Sequence, residues 1–272
     1  LPRRARPKKP KAKGAKARPG KSRAASRAKS GASRAATAKT AKTKTARRKK
    51  KRRLKGGEES EGVRLPAALG IIPLRDTVIF PYMIAPLVIG RARSLHLIDE
   101  AANGDRLVGL ATQHKPDTET PTPSDLHRVG TAATILKMLK FPDGSTRVLV
   151  QGTSRMRIGP FTQEQPYLRA HVEGVPEVSD TTVETQALLR SVSDIFAKIV
   201  NHSPHLPDEL QVAVMNIDNP SRAADLIASN INLSTLEKQE ILETFDTKQR
   251  LATLMTFLNR ELQVLELGSK IQ

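Results

Sequence analysis

Positive charge in this chain is confined to one end, and that segregation decides which residues can build a core. The first 57 residues hold 25 Lys or Arg and no Asp or Glu, whereas the remaining 215 carry 21 basic against 27 acidic residues, a net charge of −6. All six Phe and both Tyr lie in that remainder, and the only large apolar side chains before it are Leu1 and Leu54. Such a segment cannot bury enough apolar surface to offset the entropy of ordering its backbone. The expectation is a disordered basic tail and linker over 1–62, followed by a folded body long enough for a sizeable core.

Composition also excludes classes of function. There is no Cys, hence no disulfide framework, thiolate metal site or Cys nucleophile, and a reducing compartment is permitted. No apolar run approaches the roughly 20 residues that span a bilayer. The basic N-terminus has no apolar stretch behind it, so a secretory signal is not expected either, and the expected location is cytoplasmic. The segment from Gly14 to Gly20-Lys21-Ser22 looks like a phosphate loop but has one residue too many between its glycines, and no strand pattern precedes it.

The tail closes on seven consecutive basic residues, Arg47, Arg48, Lys49, Lys50, Lys51, Arg52 and Arg53. A flexible polycation gains free energy on a polyanion by releasing condensed counterions, without regard to sequence. No aromatic residue is interleaved to stack on bases. These seven are the candidate contacts for nonspecific nucleic-acid binding. Gly56-Gly57, followed by Glu58, Glu59 and Glu61, marks the linker into the body.

Over 63–178 the body reads as short β-rich runs broken by Pro and Gly. Extended, β-rich runs are read at 71–74, 78–80, 86–90, 107–110, 134–140, 146–151, 155–158 and 168–172, and a sheet of about six strands is expected from them. The sharpest signal is the hairpin at Phe141-Pro142-Asp143-Gly144, where Pro presets φ and Gly permits the left-handed turn position. Ser94, then Leu95, Ile98 and Ala102 at helical spacing, indicates one helix within this region. The segment 118–123 reads as a polar loop.

Over 179–272 the apolar period changes to that of helices. Thr181 with Glu184 suggests a capping box ahead of the stripe Leu188, Leu189, Val192, Ile195, Phe196, Ile199 and Val200. Pro207 opens a short helix to about Met215, and Asn219-Pro220 places a cap and a first-turn proline before another. Ser234 with Glu237 forms a further capping box. Past a break near Asp246, Leu251, Met255, Leu258, Leu262 and Leu265 make a heptad-like seam along a long final helix.

In order and spacing, several of these segments resemble one known family. They are Ile72-Pro73-Leu74-Arg75-Asp76-Thr77-Val78-Ile79-Phe80-Pro81, Pro86-Leu87-Val88-Ile89-Gly90-Arg91, the Phe141 hairpin, Asn216-Ile217-Asp218-Asn219-Pro220, and Glu237-Lys238-Gln239-Glu240 with Leu265-Glu266-Leu267. Together they look like the N-terminal, substrate-recognition region of the Lon ATP-dependent protease, from about Leu65 to Gln272. The resemblance implies an α+β fold: a β-rich PUA-like subdomain, then a helical bundle ending in a long helix. It further implies assembly toward a hexamer and capture of unfolded or damaged proteins. The body contains no phosphate loop, so no catalytic residue is assigned; ATP and Mg are expected only in an ATPase domain outside these residues.

Candidate contacts with protein substrates are Phe80, Tyr82, Met83, Met138, Leu139 and Phe141, because Met and aromatic side chains adapt to varied partners. His202 and His205 have no further His or Cys nearby, and a polar interhelical loop is the better reading than a metal site. The alternative function is a nucleic-acid-associated binding protein acting through the basic tail. The net charge of the body argues against the sheet itself as an RNA surface.

Overall fold

A computed structural model describes residues 65–177 and 181–271. The expected tail over 1–62, with its cluster of seven basic residues, lies outside the described residues. The first half contains β1 (Ala68–Leu74), β2 (Ile84–Ile89), α1 (Ala92–Asn103), β3 (Leu107–Thr112), β4 (Val129–Lys140), β5 (Thr146–Gln163) and β6 (Arg169–Gly174). The second contains α2 (Val183–His202), α3 (Glu209–Met215), α4 (Pro220–Asn230), α5 (Thr235–Glu243) and α6 (Thr247–Ile271). This is the α+β order expected from the sequence.

Six strands lie in the order β2-β5-β4-β3-β1-β6, and β6 also pairs with β5, so the sheet closes into a barrel. Only β1 and β3 run parallel, joined by a crossover that carries β2 and α1. The 18-residue β5 makes closure possible because it changes neighbours along its length. Its start pairs with β2, from Ile89↔Thr146 to Ile84↔Gln151, and its end pairs with β6, from Met156↔Gly174 to Gln163↔Arg169. The expected strand at 155–158 is therefore the middle of β5 rather than a separate element. Strand β2 pairs on one side only, a position that tolerates Pro86, which has no N–H to give to a ladder.

The run Val78, Ile79 and Phe80, read above as a strand, is not one. All three side chains are buried, but the backbone crosses the end of the barrel outside any ladder. Side chains stand in for strand partners: Thr112 Oγ1 donates to the Thr77 carbonyl at 2.9 Å, and Thr131 Oγ1 donates to that of Ile79 at 2.5 Å. Buried carbonyls are thereby satisfied without a sheet.

Local signals set most helix boundaries. Asn219 accepts from the Arg222 N–H with Pro220 in the first turn, and Ser234 and Glu237 bond each other's backbone N–H reciprocally. Helix α2 is capped by Thr182, which accepts from the Thr185 N–H, one residue beyond the expected Thr181. In α1 the buried row is Ser94, Leu97, Ile98 and Ala101, so the helix is rotated from the expected stripe. In α6, Leu251, Leu254 and Leu258 are fully buried, while Met255, Leu262 and Leu265 are only partly covered. Lys248 and Glu184, in the first turns of α6 and α2, form an ion pair, so the two helices start side by side.

Barrel and helices share a core. Val78 and Phe80 belong to the cluster built by Val192, Phe196, Ile227, Ile241 and Leu254. Across the same joint, Thr235 Oγ1 donates to the Asp76 carbonyl at 2.9 Å and Gln239 Nε2 to that of Val129 at 2.9 Å. A buried ion-pair network closes it: Arg155 of β5 meets Asp225 of α4 at 2.7 and 2.5 Å, and its Nε donates to the Leu242 carbonyl. Arg250 of α6 reaches the same carboxylate at 3.4 Å and Ser221 Oγ at 2.7 Å. Burial holds the Arg250 pKa down at about 10 against the opposing pull of Asp225.

Candidate substrate-binding face

Strand β2 alternates strictly: Ala85, Leu87 and Ile89 point into the barrel, while Ile84, Pro86 and Val88 point out. The outward residues are apolar as well. Ile84 is 55% exposed and Val88 69%. Cross-strand partners share a face, so the register extends this row sideways. Val88 lies opposite Arg147, which lies opposite Leu139; Pro86 lies opposite Leu149, which lies opposite Lys137. A bulge between Ile135 and Lys137 brings Leu136 partly into solvent beside them. The outcome is a three-stranded apolar face of Ile84, Pro86, Val88, Leu149 and Leu139 with Arg147 and Lys137 among them.

The six residues singled out from sequence lie near the two ends of this face in the chain, but not all of them reach it. Phe80 must be corrected: it is fully buried in the helical core, where it meets no solvent, so it supports the fold rather than a contact. Tyr82 is 46% exposed and sits at φ 65, a left-handed conformation that a bulky residue adopts only when held. Two hydrogen bonds hold it: its N–H donates to the Gly152 carbonyl at 2.8 Å, and the Gly152 N–H donates to the Met83 carbonyl at 2.9 Å. A side chain on Gly152 would meet the Phe80 carbonyl at 2.2 Å, so only glycine admits this approach. The Arg222 guanidinium of α4 covers the Tyr82 ring at 4.2 Å. Partial burial raises the phenol pKa, with a further push from Glu177.

Met83 is half-buried and packs against both the helical core and the barrel core. At the other end, Met138 lies opposite Val148, whose partner is Leu87, and leans into the barrel. Leu139 points outward and is half-exposed. Phe141 lies under Arg147 at 4.6 Å at the base of the hairpin turn. Of the six, Tyr82 and Leu139 are the ones more than a third exposed, and the row between them, Ile84, Pro86 and Val88, was not among the residues singled out. Both faces of β2 are apolar, which erases the alternation that would have identified its outward row.

His202 ends α2 with its Nδ1 2.8 Å from the Lys198 carbonyl oxygen, and His205 lies in the exposed loop that follows. Among the described residues no group of three or more His, Asp or Glu is placed to hold a metal ion, and no helix is long and apolar enough to cross a membrane.

Comparison with known proteins places this architecture. Residues 68–260 match the family described as the ATP-dependent protease La (LON) substrate-binding domain. The Lon protease of Dictyoglomus thermophilum is 44% identical over 208 residues, 76% of this chain and 26% of that protein. That of Geobacter metallireducens is 41% identical over 217 residues, 79% of this chain and 26% of the relative. The chain thus spans about a quarter of the length of these relatives. Among solved structures, the N-terminal domain of the Mycobacterium avium complex Lon protease superposes with a TM-score of 0.60 at 23% identity, covering 71% of this chain and 98% of that one. The Xanthomonas campestris Lon N-terminal domain protein gives 0.51 at 18% identity, covering 70% and 97%. The chain belongs to the Lon protease family and carries its N-terminal substrate-binding domain.

Proposed function

We propose that this domain holds extended, unfolded segments of protein clients for an ATP-dependent Lon-type protease, and that the outward face of β2, β5 and β4 is where they lie. The observation that carries the reading is the exposed row Ile84, Pro86 and Val88 on a strand paired on one side only. An unfolded client offers apolar side chains that a native protein keeps inside, and their burial contributes about 25 cal/mol per Å² of apolar surface. A shallow, open face gives modest and reversible affinity, suited to passing a chain onward. The domain performs no chemistry in this reading; ATP turnover, with its Mg, and peptide hydrolysis fall to other parts of a hexameric protease. The test is binding of one protein in two states, native and carbamidomethylated-unfolded, to the chain: selective binding of the unfolded state is expected, and equal binding of both would refute it.

A second reading concerns the basic segment alone, and the concentration of 25 positive charges within 57 residues favours it. This segment binds nucleic acid without sequence preference, adding about −0.9 to the slope of log affinity against log salt for each B-DNA phosphate neutralised. Binding that survives removal of residues 1–57, or is insensitive to salt, would contradict this.

A further inference from the structure

Beyond Ile89 the apolar row runs into a site of different chemistry. The chain turns through Gly90 and Arg91 into α1, a 12-residue helix that begins without a cap. Arg91 occupies the cap position, no side chain bonds to the first turn, and no acidic residue lies within it. The N–H groups of Ala92, Arg93 and Ser94 have no acceptor among the described residues, so the positive end of the helix dipole is left open. A cation at this end is unfavourable for the helix itself, which makes a capping role for Arg91 a poor explanation of its presence.

Two cavities of about 580 and 390 Å³ meet here and share Pro73, Arg91, Ser94 and Glu119. The larger is also walled by Pro86 and Val88, which makes it continuous with the apolar face. Ser94 is only 5% exposed, lines both cavities, and has no hydrogen-bond partner for its hydroxyl among the described residues. The buried donor left without a partner at this junction is Arg91 Nε, and a ligand acceptor would supply one. Arg93 lines the smaller cavity, is half-buried, and makes no ion pair among the described residues. Arg91 is fixed in place, its Nη1 donating to Gln113 Oε1 at 2.6 Å and its Nη2 to the Thr118 carbonyl at 3.0 Å. Burial, and then the neighbouring Arg75, push the Arg91 pKa down, with Glu119 opposing them. On the rim, Arg75 holds the exposed carboxylate of Glu119 at 3.1 Å.

We propose that this groove receives a carboxylate of the bound client segment, so that the domain prefers extended apolar segments bearing an acidic side chain or ending in a free C-terminus. The inference rests on the client-binding reading above and adds a specificity to it. Ser94 Oγ and the α1 N–H groups donate to the carboxylate, Arg93 pairs with it, and Ile84 and Val88 take the apolar side chains before it. Glu119 competes for the same positive field.

The test uses three fluorescein-labelled peptides of alternating Val and Thr: one amidated, one with a free C-terminal carboxylate, and one amidated but carrying an internal Glu. Binding to the whole chain is read by anisotropy. A charge-assisted set of hydrogen bonds predicts about tenfold tighter binding of at least one carboxylate peptide over the amidated one, and which one gains identifies the source. Ser94→Ala and Arg93→Gln collapse that ratio toward unity, and Glu119→Gln raises it. Ile84→Asp with Val88→Asp weakens binding of the amidated peptide, which reports the apolar face separately. If all three peptides bind the wild-type chain equally while the β2 variant still lowers binding, the carboxylate site is wrong and the apolar face stands. If no peptide binds, both fail. A ratio that persists in Ser94→Ala and Arg93→Gln, with their thermal unfolding unchanged, also overturns the site.

Discussion

Arg155 and Asp225 meet in a two-pronged ion pair at 2.7 and 2.5 Å, with each side chain almost wholly removed from water. One stands on barrel strand β5 and the other on helix α4, so the pair fastens the halves together. Removing one partner leaves an uncompensated buried charge. Asp225→Ala is expected to destabilise the chain by about 3–5 kcal/mol, because Arg155 and Arg250 both lose its carboxylate and Arg155 keeps only that of Glu177, at 3.9 Å. Replacing Arg155 and Asp225 together by Met and Leu should be milder than either single change. Urea unfolding of the three variants checks this, and additive losses would contradict it.

Glu237 sets a dependence on acid. The Arg260 guanidinium, followed by the bonds from Ser234, lowers its pKa from 4.5 to about 2. Since the folded value is the depressed one, the stabilisation is present above pH 4.5 and is lost as pH falls from there through about 2. Glu237→Gln should therefore lower the melting temperature at pH 7 and leave it nearly unchanged at pH 2. A thermal scan across that window is the check; an equal difference at both ends would contradict the linkage.

Gly152 positions the turn that presents Tyr82. Adding a methyl group forces the Phe80 carbonyl away, since the built contact is 2.2 Å. Gly152→Ala is expected to cost about 1–3 kcal/mol, the range for overpacking a filled interior. It should also shift the amide resonances of Tyr82 and Met83, the two residues that Gly152 holds.

Phe80 and Tyr82 are two residues apart and have opposite roles. Phe80→Ala should destabilise by about 3–5 kcal/mol, as for a large aromatic lost from a core. Tyr82→Gly removes an exposed ring and relieves a left-handed φ of 65, so its stability should change by less than about 1 kcal/mol. Chemical denaturation of both variants separates these roles.

Much of the fold was legible because local chemistry dictated it. Pro142-Asp143-Gly144 placed the hairpin, and Asn219, Pro220, Ser234 and Glu237 placed helix starts that the structure reproduces. The closure of the barrel was not legible. It depends on β5 exchanging β2 for β6 partway along, a nonlocal choice with no local sequence signature. Phe80 was misread because an aromatic residue near a proline looks the same in sequence whether it faces solvent or a helix from another part of the chain. The Ser94 groove was invisible for a related reason: an uncapped helix start is the absence of a signal, and the cavities around it are assembled from β1, β2, α1 and the loop at Glu119.

The central claim is that the outward row of β2 contacts unfolded clients. Its most direct test is the affinity of the chain for a carbamidomethylated, permanently unfolded protein, compared between wild type and Ile84→Asp with Val88→Asp. These side chains are 55% and 69% exposed in the free domain, so the unfolding midpoint should stay close to wild type. Each buried aliphatic contact contributes about 1.5–3 kcal/mol, so affinity is predicted to fall by about tenfold or more. Unchanged affinity, with the unfolding midpoint preserved, would contradict the account.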